Sequence, residues 1–181
     1  MNCTETNLKG CFVLEPQIFE DDRGLFFESY NQRKFEEIIG QRVDFVQDNQ
    51  SVSKKGVLRG LHFQEGKYAQ SKLVRVLMGE VFDVVVDLRE NSETFGNHFK
   101  LKLSGENKKI IFIPKGMAHG FVTLSKEAVF AYKCDDYYHQ ASENGIIYND
   151  RTLQIDWELP SDELILSQKD KDLPTFKELF S

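Results

Sequence analysis

The sequence predicts an all-β protein, a sandwich or a barrel, because three features of its pattern agree. Many short apolar segments alternate with turn residues along most of the 181-residue chain. Helical periodicity is confined to two short stretches, and the four prolines are scattered instead of forming a linker. Short strands that are separated by turns are typical of sandwiches and barrels. We therefore expect a single domain over residues 1–181, with a few short peripheral helices.

The predicted strands run from residue 13 to residue 134. Residues 13–19 and 25–30 flank an acidic turn that ends in glycine. Residues 73–78 and 81–88 flank the dipeptide Gly79-Glu80, a pattern that predicts a β-hairpin. The remaining predicted strands are residues 99–103, 109–113, 120–124 and 129–134.

Two short helices are predicted at the periphery. Residues 32–39 place three apolar side chains, Phe35, Ile38 and Ile39, on one side. Residues 175–180 follow Pro174, a residue that is favoured where helices begin.

Composition restricts the possible partners. The chain has 29 acidic and 23 basic residues and a net charge of −6, with no basic block, so we expect no nucleic-acid partner. The three cysteines form no CxxC pair and are expected to be reduced thiols. The first ten residues are polar, and no apolar run is long enough to span a bilayer. These features predict a cytoplasmic protein without a membrane partner.

The segment from Gly56 to Gln64 contains the first candidate site residues. Strand alternation would turn Arg59 and Leu61 to one face, and Gly60, His62 and Gln64 to the other. A histidine inside a barrel must be hydrogen-bonded or hydrated. His62 is therefore either a satisfied core histidine or a histidine at the mouth of a ligand cavity.

The second segment, residues 113–121, contains Pro114, Gly116 and His119 in the spacing PxGxxH. This spacing resembles the second motif of the cupin superfamily, in which a turn delivers a histidine into the barrel. The alternative is a Pro-Gly turn beside an incidental histidine. Together with His62 earlier in the chain, the motif predicts a cupin-type jelly-roll β-barrel.

We expect no metal and no other cofactor. Metal-binding cupins usually carry HxH and a glutamate in their first motif, whereas this chain has His62-Phe63-Gln64. Zinc and iron sites in proteins usually have at least three good protein donors, and two histidines do not supply them.

The strand predicted at residues 81–88 has apolar residues on both faces, so both faces should be buried. Asp83 on this strand then needs a partner. That partner could be a histidine, whose ring a carboxylate orients, or Lys72 or Arg75 in a structural ion pair.

Tyr132 and Tyr137 lie at the end of the last predicted strand. A tyrosine at this position could fill the core, stack on a ligand or donate a proton.

Taken together, these motifs resemble the dTDP-4-dehydrorhamnose 3,5-epimerase family over nearly the whole chain. The motifs that carry the resemblance are Asp22-Arg23-Gly24, Phe27-Glu28-Ser29-Tyr30, residues 45–49, Arg59-Gly60-Leu61-His62, Lys72-Leu73-Val74-Arg75, Thr94-Phe95-Gly96, residues 114–121, Tyr132-Lys133, Asn149-Asp150 and residues 167–170.

The resemblance implies epimerisation at carbon 3, carbon 5 or both of a nucleotide-linked 4-keto sugar, in the synthesis of bacterial surface polysaccharides. The ketone acidifies the neighbouring hydrogens, and protons leave and return on opposite faces. By resemblance His62 is the base, Asp170 or Asp83 holds its ring, and Tyr132 is the acid. Lys72 would stabilise the enolate oxygen.

The resemblance also implies the substrate-binding residues. His119 and Arg59 would lie near the sugar and the diphosphate, which suits the planar fork of arginine. The residues implied at the nucleotide end are Arg23, Glu28, Gln47, Asn49, Lys169 and Tyr137. Family members are homodimers that exchange N-terminal strands, so Arg23 and Glu28 would serve the neighbouring subunit.

Several alternatives remain open from the sequence. The substrate is either a dTDP-hexose or a GDP-4-keto-heptose. A 3,4-ketoisomerase of nucleotide sugars, a metal-dependent cupin and a non-catalytic sugar-binding cupin are the competing functions. Tyr132 and Lys72 argue against the last of these, because a binding protein needs neither.

Overall fold

The computed structural model describes residues 1–180 and contains thirteen strands and three short α-helices. The strands are β1 (Asn2–Glu5), β2 (Phe12–Glu15), β3 (Ile18–Asp21), β4 (Gly24–Phe27), β5 (Gln47–Lys54), β6 (Leu58–Gln64), β7 (Lys72–Met78), β8 (Glu80–Asp87), β9 (His98–Ser104), β10 (Ile110–Ile113), β11 (Met117–Thr123), β12 (Glu127–Cys134) and β13 (Glu143–Gly145). The helices are α1 (Gln32–Ile39), α2 (Gln168–Lys171) and α3 (Phe176–Phe180).

Two antiparallel sheets form the body of the protein. One has six strands in the order β1-β2-β10-β7-β12-β5, and the other has five in the order β13-β6-β11-β8-β9. The all-β jelly-roll architecture predicted from the sequence is confirmed. Among residues 1–180 no ladder of hydrogen bonds closes the two sheets into a cylinder, so the barrel is an open one made of two sheets.

An apolar core holds the sheets together. Val74 and Phe130 of the six-stranded sheet pack with Val85 and Phe121 of the five-stranded sheet, and all four side chains are buried. Such burial is worth about 1.5–3 kcal/mol for each large apolar side chain. The core therefore fixes the spacing of the sheets, and any cavity between them must lie beside it.

Each sheet is also covered on its outer face. The C-terminal segment packs Leu153, Trp157 and Phe176 against the five-stranded sheet. Helix α1 packs Phe35 against the six-stranded sheet. The helix predicted at residues 32–39 is thus confirmed, with Asn31 capping its N-terminus. No helix among residues 1–180 has the length and apolar character needed to cross a bilayer.

Strand β8 confirms the prediction that both of its faces are buried. Phe82, Val84 and Val86 pack against the C-terminal segment, whereas Val81 and Val85 lie in the core between the sheets. The charged residues of this strand consequently lie inside the protein and must have partners.

The hairpin predicted at Gly79-Glu80 is wrong. Strand β7 belongs to the six-stranded sheet and β8 to the five-stranded sheet, and the two are not paired. The turn instead carries the chain from one sheet to the other. Pattern alone could not distinguish the two cases, because both need a tight turn between two apolar strands.

The strand predicted at residues 13–19 is interrupted at Pro16. Strand β2 pairs with β1 and β10, whereas β3 pairs with β4 in a separate hairpin. Proline has no N–H for a ladder, so the chain changes direction there.

Strand β5 was not predicted because its sequence, QDNQSVSK, is almost entirely polar. Its register with β12 is unbroken from Gln47 to Lys54. Hydrophobic periodicity finds strands that face an apolar core, whereas β5 faces a polar cavity. Strands β1 and β13 and helix α2 were also missed, and each has only three or four residues.

A β-bulge in β6 overturns the predicted alternation of side chains. His62 pairs with His119 and Arg59 with Phe121, so β6 has one more residue than β11 between these pairs. The extra residue turns Arg59 and His62 to the same side, towards the space between the sheets. Leu58 and Leu61 share the opposite side and pack under the C-terminal segment.

Only glycine fits at the bulge. Gly60 has a φ of +127°, and a Cβ there would lie 2.5 Å from the Cα of Gly120 and 2.8 Å from the carbonyl oxygen of His119. Both contacts are with backbone, which cannot rotate away.

We therefore expect Gly60→Ala to lower the free energy of unfolding by about 3 kcal/mol or more. Gly40→Ala is the matched control, because Gly40 has a φ of +72° and open space around it. That control should cost only about 1 kcal/mol. Urea denaturation measures both, and equal losses would show that the close approach to β11 is unimportant.

Candidate active site

A cavity of about 400 Å³ lies between the two sheets, beside the apolar core. It is lined by Asn49, Gln50, Ser51, Arg59, His62, Lys72, His119, Phe121, Phe130, Tyr132, Ser167, Lys169 and Asp170. Eight of the residues predicted from the sequence therefore line one cavity. This volume suits a small ligand such as a sugar ring.

His62 lies at the cavity wall and contacts Asp170, with 2.5 Å between its Nε2 and the Oδ1 of the carboxylate. The chain returns to β6 to make this contact. The N–H of Leu58 donates to the carbonyl of Ile165, and the N–H of Ile165 donates to the carbonyl of Gly56. Helix α2, which carries Asp170, begins three residues later.

The Asp170 carboxylate is held in its charged form. Burial acts to raise the pKa of Asp170, but the hydrogen bond and charge of His62 and the hydroxyl of Ser167 outweigh it and lower the pKa. A charged carboxylate fixes the orientation of the imidazole ring and leaves the other ring nitrogen free to accept a proton.

His119 has a carboxylate of its own. Its Nε2 lies 2.8 Å from the Oδ2 of Asp83, and both side chains are buried. Of the two carboxylates considered for His62, Asp170 makes the contact and Asp83 does not. Asp83 also forms no ion pair with Lys72 or Arg75, the other partners considered for it. Its Oδ1 has no hydrogen-bond partner in the part of the chain that the structure describes.

Lys72 points into the cavity from β7. Its ammonium group has no ion pair or hydrogen bond with any side chain of residues 1–180, and it lies 5.9 Å from the centre of the Tyr132 ring. Burial lowers the pKa of Lys72, while Cys134, Asp83 and Glu143 act in the opposite direction. A cation without a protein partner can stabilise a negative charge on a ligand.

Tyr132 lies on β12, paired with Val74 of β7 and Asn49 of β5. Burial raises the pKa of Tyr132, with the nearby Cys134 adding to the effect. The phenol therefore stays protonated near neutral pH and can donate a proton.

The two groups of polar residues come from different sheets. His62 and His119 are neighbours on β6 and β11 of the five-stranded sheet. Lys72 and Tyr132 are on β7 and β12 of the six-stranded sheet, which faces it. A ring bound between the sheets would have a histidine on one face and a tyrosine on the other.

Glu143, which sequence analysis missed, lies beside the cavity residue Lys169. Glu143 accepts hydrogen bonds from the ammonium of Lys169 at 2.5 Å and the hydroxyl of Tyr138 at 2.7 Å. Arg59, one of the predicted cavity residues, donates through Nε to Ser53, so the terminal nitrogens of the guanidinium are free. No motif marks Glu143, because only the pairing of β13 with β6 brings it to the rim.

Ser167 was also not assigned a role, although a signal was present. Serine three residues before an acidic residue indicates a helix N-cap. Its side chain accepts a hydrogen bond from the backbone N–H of Asp170 and donates one to the Oδ2 of that residue.

Five of the predicted residues do not line the cavity of a single chain, and one of them, Asp83, is buried against His119. Arg23 projects from the β3–β4 hairpin and pairs with Asp21. Glu28 bonds Asn31 and Lys34 near α1. Gln47 donates to the cavity residue Asn49 from the same face of β5 but does not itself line the cavity, and Tyr137 is exposed.

No group of three or more His, Cys, Asp or Glu side chains suited to a metal ion occurs within residues 1–180. Each cavity histidine is instead bound to a carboxylate.

Comparison with known proteins identifies one family. A family model described as dTDP-4-dehydrorhamnose 3,5-epimerase matches residues 5–178. The dTDP-4-dehydrorhamnose 3,5-epimerase of Escherichia coli (strain K12) is 54% identical over 179 residues, which cover 99% of this chain and 96% of that protein.

Solved structures agree with the sequence comparison. A dTDP-4-dehydrorhamnose 3,5-epimerase from Elizabethkingia anophelis NUHP1 has a TM-score of 0.95 at 55% identity, with 98% of this chain and 97% of that chain covered. A dTDP-6-deoxy-D-glucose-3,5-epimerase from Legionella pneumophila Philadelphia 1, in complex with dTDP-4-keto-L-rhamnose, has a TM-score of 0.94 at 50% identity, covering 99% and 94%.

The two buried thiols should be unreactive. Burial raises the pKa of Cys134 to about 11 and that of Cys11 to about 12. At pH 8 the thiolate fraction of Cys134 would be on the order of one in a thousand. We expect neither thiol to react with iodoacetamide in the folded protein, and both to react in urea, as mass spectrometry of the peptides would show. Rapid labelling of native Cys134 would contradict this environment.

Proposed function

The chain belongs to the dTDP-4-dehydrorhamnose 3,5-epimerase family, and we propose that it inverts carbon 3, carbon 5 or both of a dTDP-linked 4-keto-6-deoxyhexose. The reaction would proceed through an enolate, in the synthesis of sugars for bacterial surface polysaccharides. The observation that carries the proposal is the placement of the His62–Asp170 dyad and Tyr132 on facing sheets of one cavity.

His62 is the base in this proposal. The substrate ketone acidifies the hydrogen on the adjacent carbon, and the free ring nitrogen of His62 accepts that proton. The imidazolium that forms is stabilised by the Asp170 carboxylate, 2.5 Å away. The negative charge moves to the ketone oxygen, where the unpaired ammonium of Lys72 stabilises it.

Tyr132 is the acid on the opposite face. Its hydroxyl would donate a proton to the planar enolate from the six-stranded sheet, which inverts the configuration. The raised pKa of Tyr132 supports this role, because the group must carry its proton at the pH of the reaction.

His119 and Arg59 would bind the substrate beside the reacting ring. The buried Asp83 fixes the ring of His119, which suits a hydrogen bond to a sugar oxygen. The free terminal nitrogens of Arg59 suit the diphosphate, with Lys169 as a second cation at the rim.

The comparisons favour a dTDP sugar over a GDP-4-keto-heptose. The matched family and the relatives from Escherichia coli and Elizabethkingia anophelis are named for dTDP-4-dehydrorhamnose. The relative from Legionella pneumophila is in complex with dTDP-4-keto-L-rhamnose. Membership of this family also disfavours the 3,4-ketoisomerase and the metal-dependent cupin.

We also propose that the active form is a homodimer in the cytoplasm. The β3–β4 hairpin pairs with no other strand among the described residues, and it exposes Phe19 (55%) and Phe26 (70%). Exposed aromatic side chains on an isolated hairpin favour docking on another surface. The partner would be a second copy of this chain, which brings Arg23 and Glu28 to the neighbouring site. Three unpaired cysteines are consistent with a reducing compartment.

Incubation with a dTDP-4-keto-6-deoxyhexose in deuterated water, followed by NMR, tests the reaction. His62→Asn should abolish deuterium incorporation, because a general base is typically worth ~10²–10⁴ in rate. Tyr132→Phe should still incorporate deuterium but with retained configuration, since His62 can return a deuteron to the face from which it took the proton. Inverted product should fall sharply.

Two remote substitutions serve as matched controls for this experiment. His98→Asn on β9 and Tyr148→Phe under the five-stranded sheet lie outside the cavity and should behave as wild type. Rapid epimerisation by His62→Asn would overturn the mechanism. If Tyr132→Phe inverted the sugar as fast as wild type, Tyr132 would not be the acid, but the role of His62 as the base would stand.

Mixing two inactive variants tests the dimer. If Arg23 acts in the partner's site, Arg23→Ala and His62→Asn chains can form a mixed dimer with one intact site. Random exchange should then restore about a quarter of wild-type activity. If Arg23 acts within its own chain, every site in the mixed dimer has a lesion and no activity returns. Sedimentation of the wild type should give twice the mass of one chain.

A further inference from the structure

We propose that Ser167 is a positioning residue for proton abstraction, because its hydroxyl holds the oxygen of Asp170 that does not contact His62. This inference rests on the proposed function of the His62–Asp170 dyad. The three side chains form one line of contacts, from the Oγ of Ser167 to the Oδ2 of Asp170 at 2.8 Å, and from its Oδ1 to His62 at 2.5 Å.

Ser167 makes two different hydrogen bonds. As the N-cap of α2, it accepts from the backbone N–H of Asp170 at 3.1 Å. Its own hydroxyl proton is donated to the carboxylate of the same residue. The first bond stabilises the helix, whereas the second acts directly on the group that holds His62. The two contributions can therefore be separated by substitution.

No other donor from residues 1–180 reaches the second oxygen of Asp170. Lys169 is the adjacent cation, but its ammonium bonds to Glu143. The Asp170 side chain is only 7% exposed, so water has little access to it. Without Ser167 this oxygen would be left without a donor in a confined site.

The hydroxyl also has a fixed position. The segment before α2 is held against β6 by the hydrogen bonds between Leu58 and Ile165 and between Ile165 and Gly56. Ser167 follows this anchor by two residues and borders the cavity. Serine and carboxylate are thus held on the same short turn, and the carboxylate cannot rotate freely away from His62.

The Ser167 hydroxyl should lower the proton affinity of the His62–Asp170 dyad. Before the reaction His62 is neutral beside a full carboxylate charge, and after it an imidazolium balances that charge. The Ser167 hydroxyl is a neutral donor, so it stabilises the carboxylate more when His62 is neutral than when an imidazolium already balances the negative charge. Removing the donor should therefore raise the apparent pKa of the dyad, so that less of the enzyme has a neutral His62 at a given acidic pH.

Other charged groups around the dyad should stay in place in the variants. They are Lys169 on α2, Glu143 on β13, Arg59 on β6, Lys72 on β7, and, from β11, β8 and β12, His119 with Asp83 and Tyr132. None of them contacts Ser167 by a hydrogen bond or ion pair, so its substitution changes only the two hydrogen bonds between Ser167 and Asp170.

The test compares Ser167→Ala with Ser167→Thr and with a control cap. Thr175, at the start of α3, does not line the cavity. Its hydroxyl accepts from the N–H of Glu178 and donates to the carboxylate of that residue, so Thr175→Ala removes the same kind of hydrogen-bond pair without touching the dyad. Ser167→Gly also removes the hydroxyl without adding a charge, and glycine is well tolerated at a helix N-cap. It serves if Ser167→Ala does not fold by circular dichroism.

For Ser167→Ala we expect kcat at pH 7 to fall about fivefold to tenfold, with KM within about twofold of wild type. The acid limb of the kcat/KM profile should move to higher pH by about half a unit or more. Ser167→Gly should move it in the same direction, and Ser167→Thr should restore the wild-type limb. Thr175→Ala should leave the limb unchanged.

Three outcomes would overturn the inference. These are a Ser167→Ala profile that coincides with wild type, the same shift in Thr175→Ala, and a raised KM with unchanged kcat. Deuterium incorporation by the wild type is measured first. If the wild type incorporates none, the proposed function itself fails, whereas an active wild type with an unaffected Ser167→Ala refutes only the role of Ser167.

Discussion

A polar group that lies between two packed sheets destabilises the protein unless it has a partner, and this constraint organises the whole cavity. Asp170 satisfies His62, Asp83 satisfies His119, and Ser167 satisfies the remaining oxygen of Asp170. The two histidine–carboxylate pairs join residues that are 108 and 36 positions apart in the sequence. Stability of the fold and orientation of the two histidines therefore depend on the same contacts.

Sequence analysis predicted the architecture and most cavity residues because both leave short-range patterns. The buried faces of β8 follow from its apolar alternation, and the motif around His119 marks a turn that enters the barrel. The choice between Asp83 and Asp170 for His62 could not be made, since it depends on how β6, β8 and β11 pair. The bulge at Gly60 was invisible for the same reason, because the extra residue exists only relative to a partner strand.

Sequence patterns also could not predict features that depend on what surrounds a strand. The polar strand β5 lines the cavity, so it lacks the apolar alternation by which strands are recognised. Glu143 reaches the rim only through β13, a strand of three residues. The β3–β4 hairpin is the opposite case. Its aromatic side chains are typical of buried strands, yet they are exposed in a single chain. Residues 18–21 and 24–27 lie within or beside the strands predicted at 13–19 and 25–30, whereas the exchange of N-terminal strands between subunits was implied only by the family resemblance.

Lys72 is the exception to the pairing of polar groups, and the exception explains how the cavity could favour a reaction. Asp170 holds His62, Asp83 holds His119 and Glu143 holds Lys169 before a substrate arrives, whereas the ammonium of Lys72 has no such partner within residues 1–180. An ion pair with a protein carboxylate would stabilise Lys72 equally before and after proton transfer, and so would not lower the barrier. A free cation gains its partner only when charge develops on the ketone oxygen. Burial of Lys72, which lowers its pKa, disfavours the free cation, and the arriving negative charge relieves that cost at the step where stabilisation is needed.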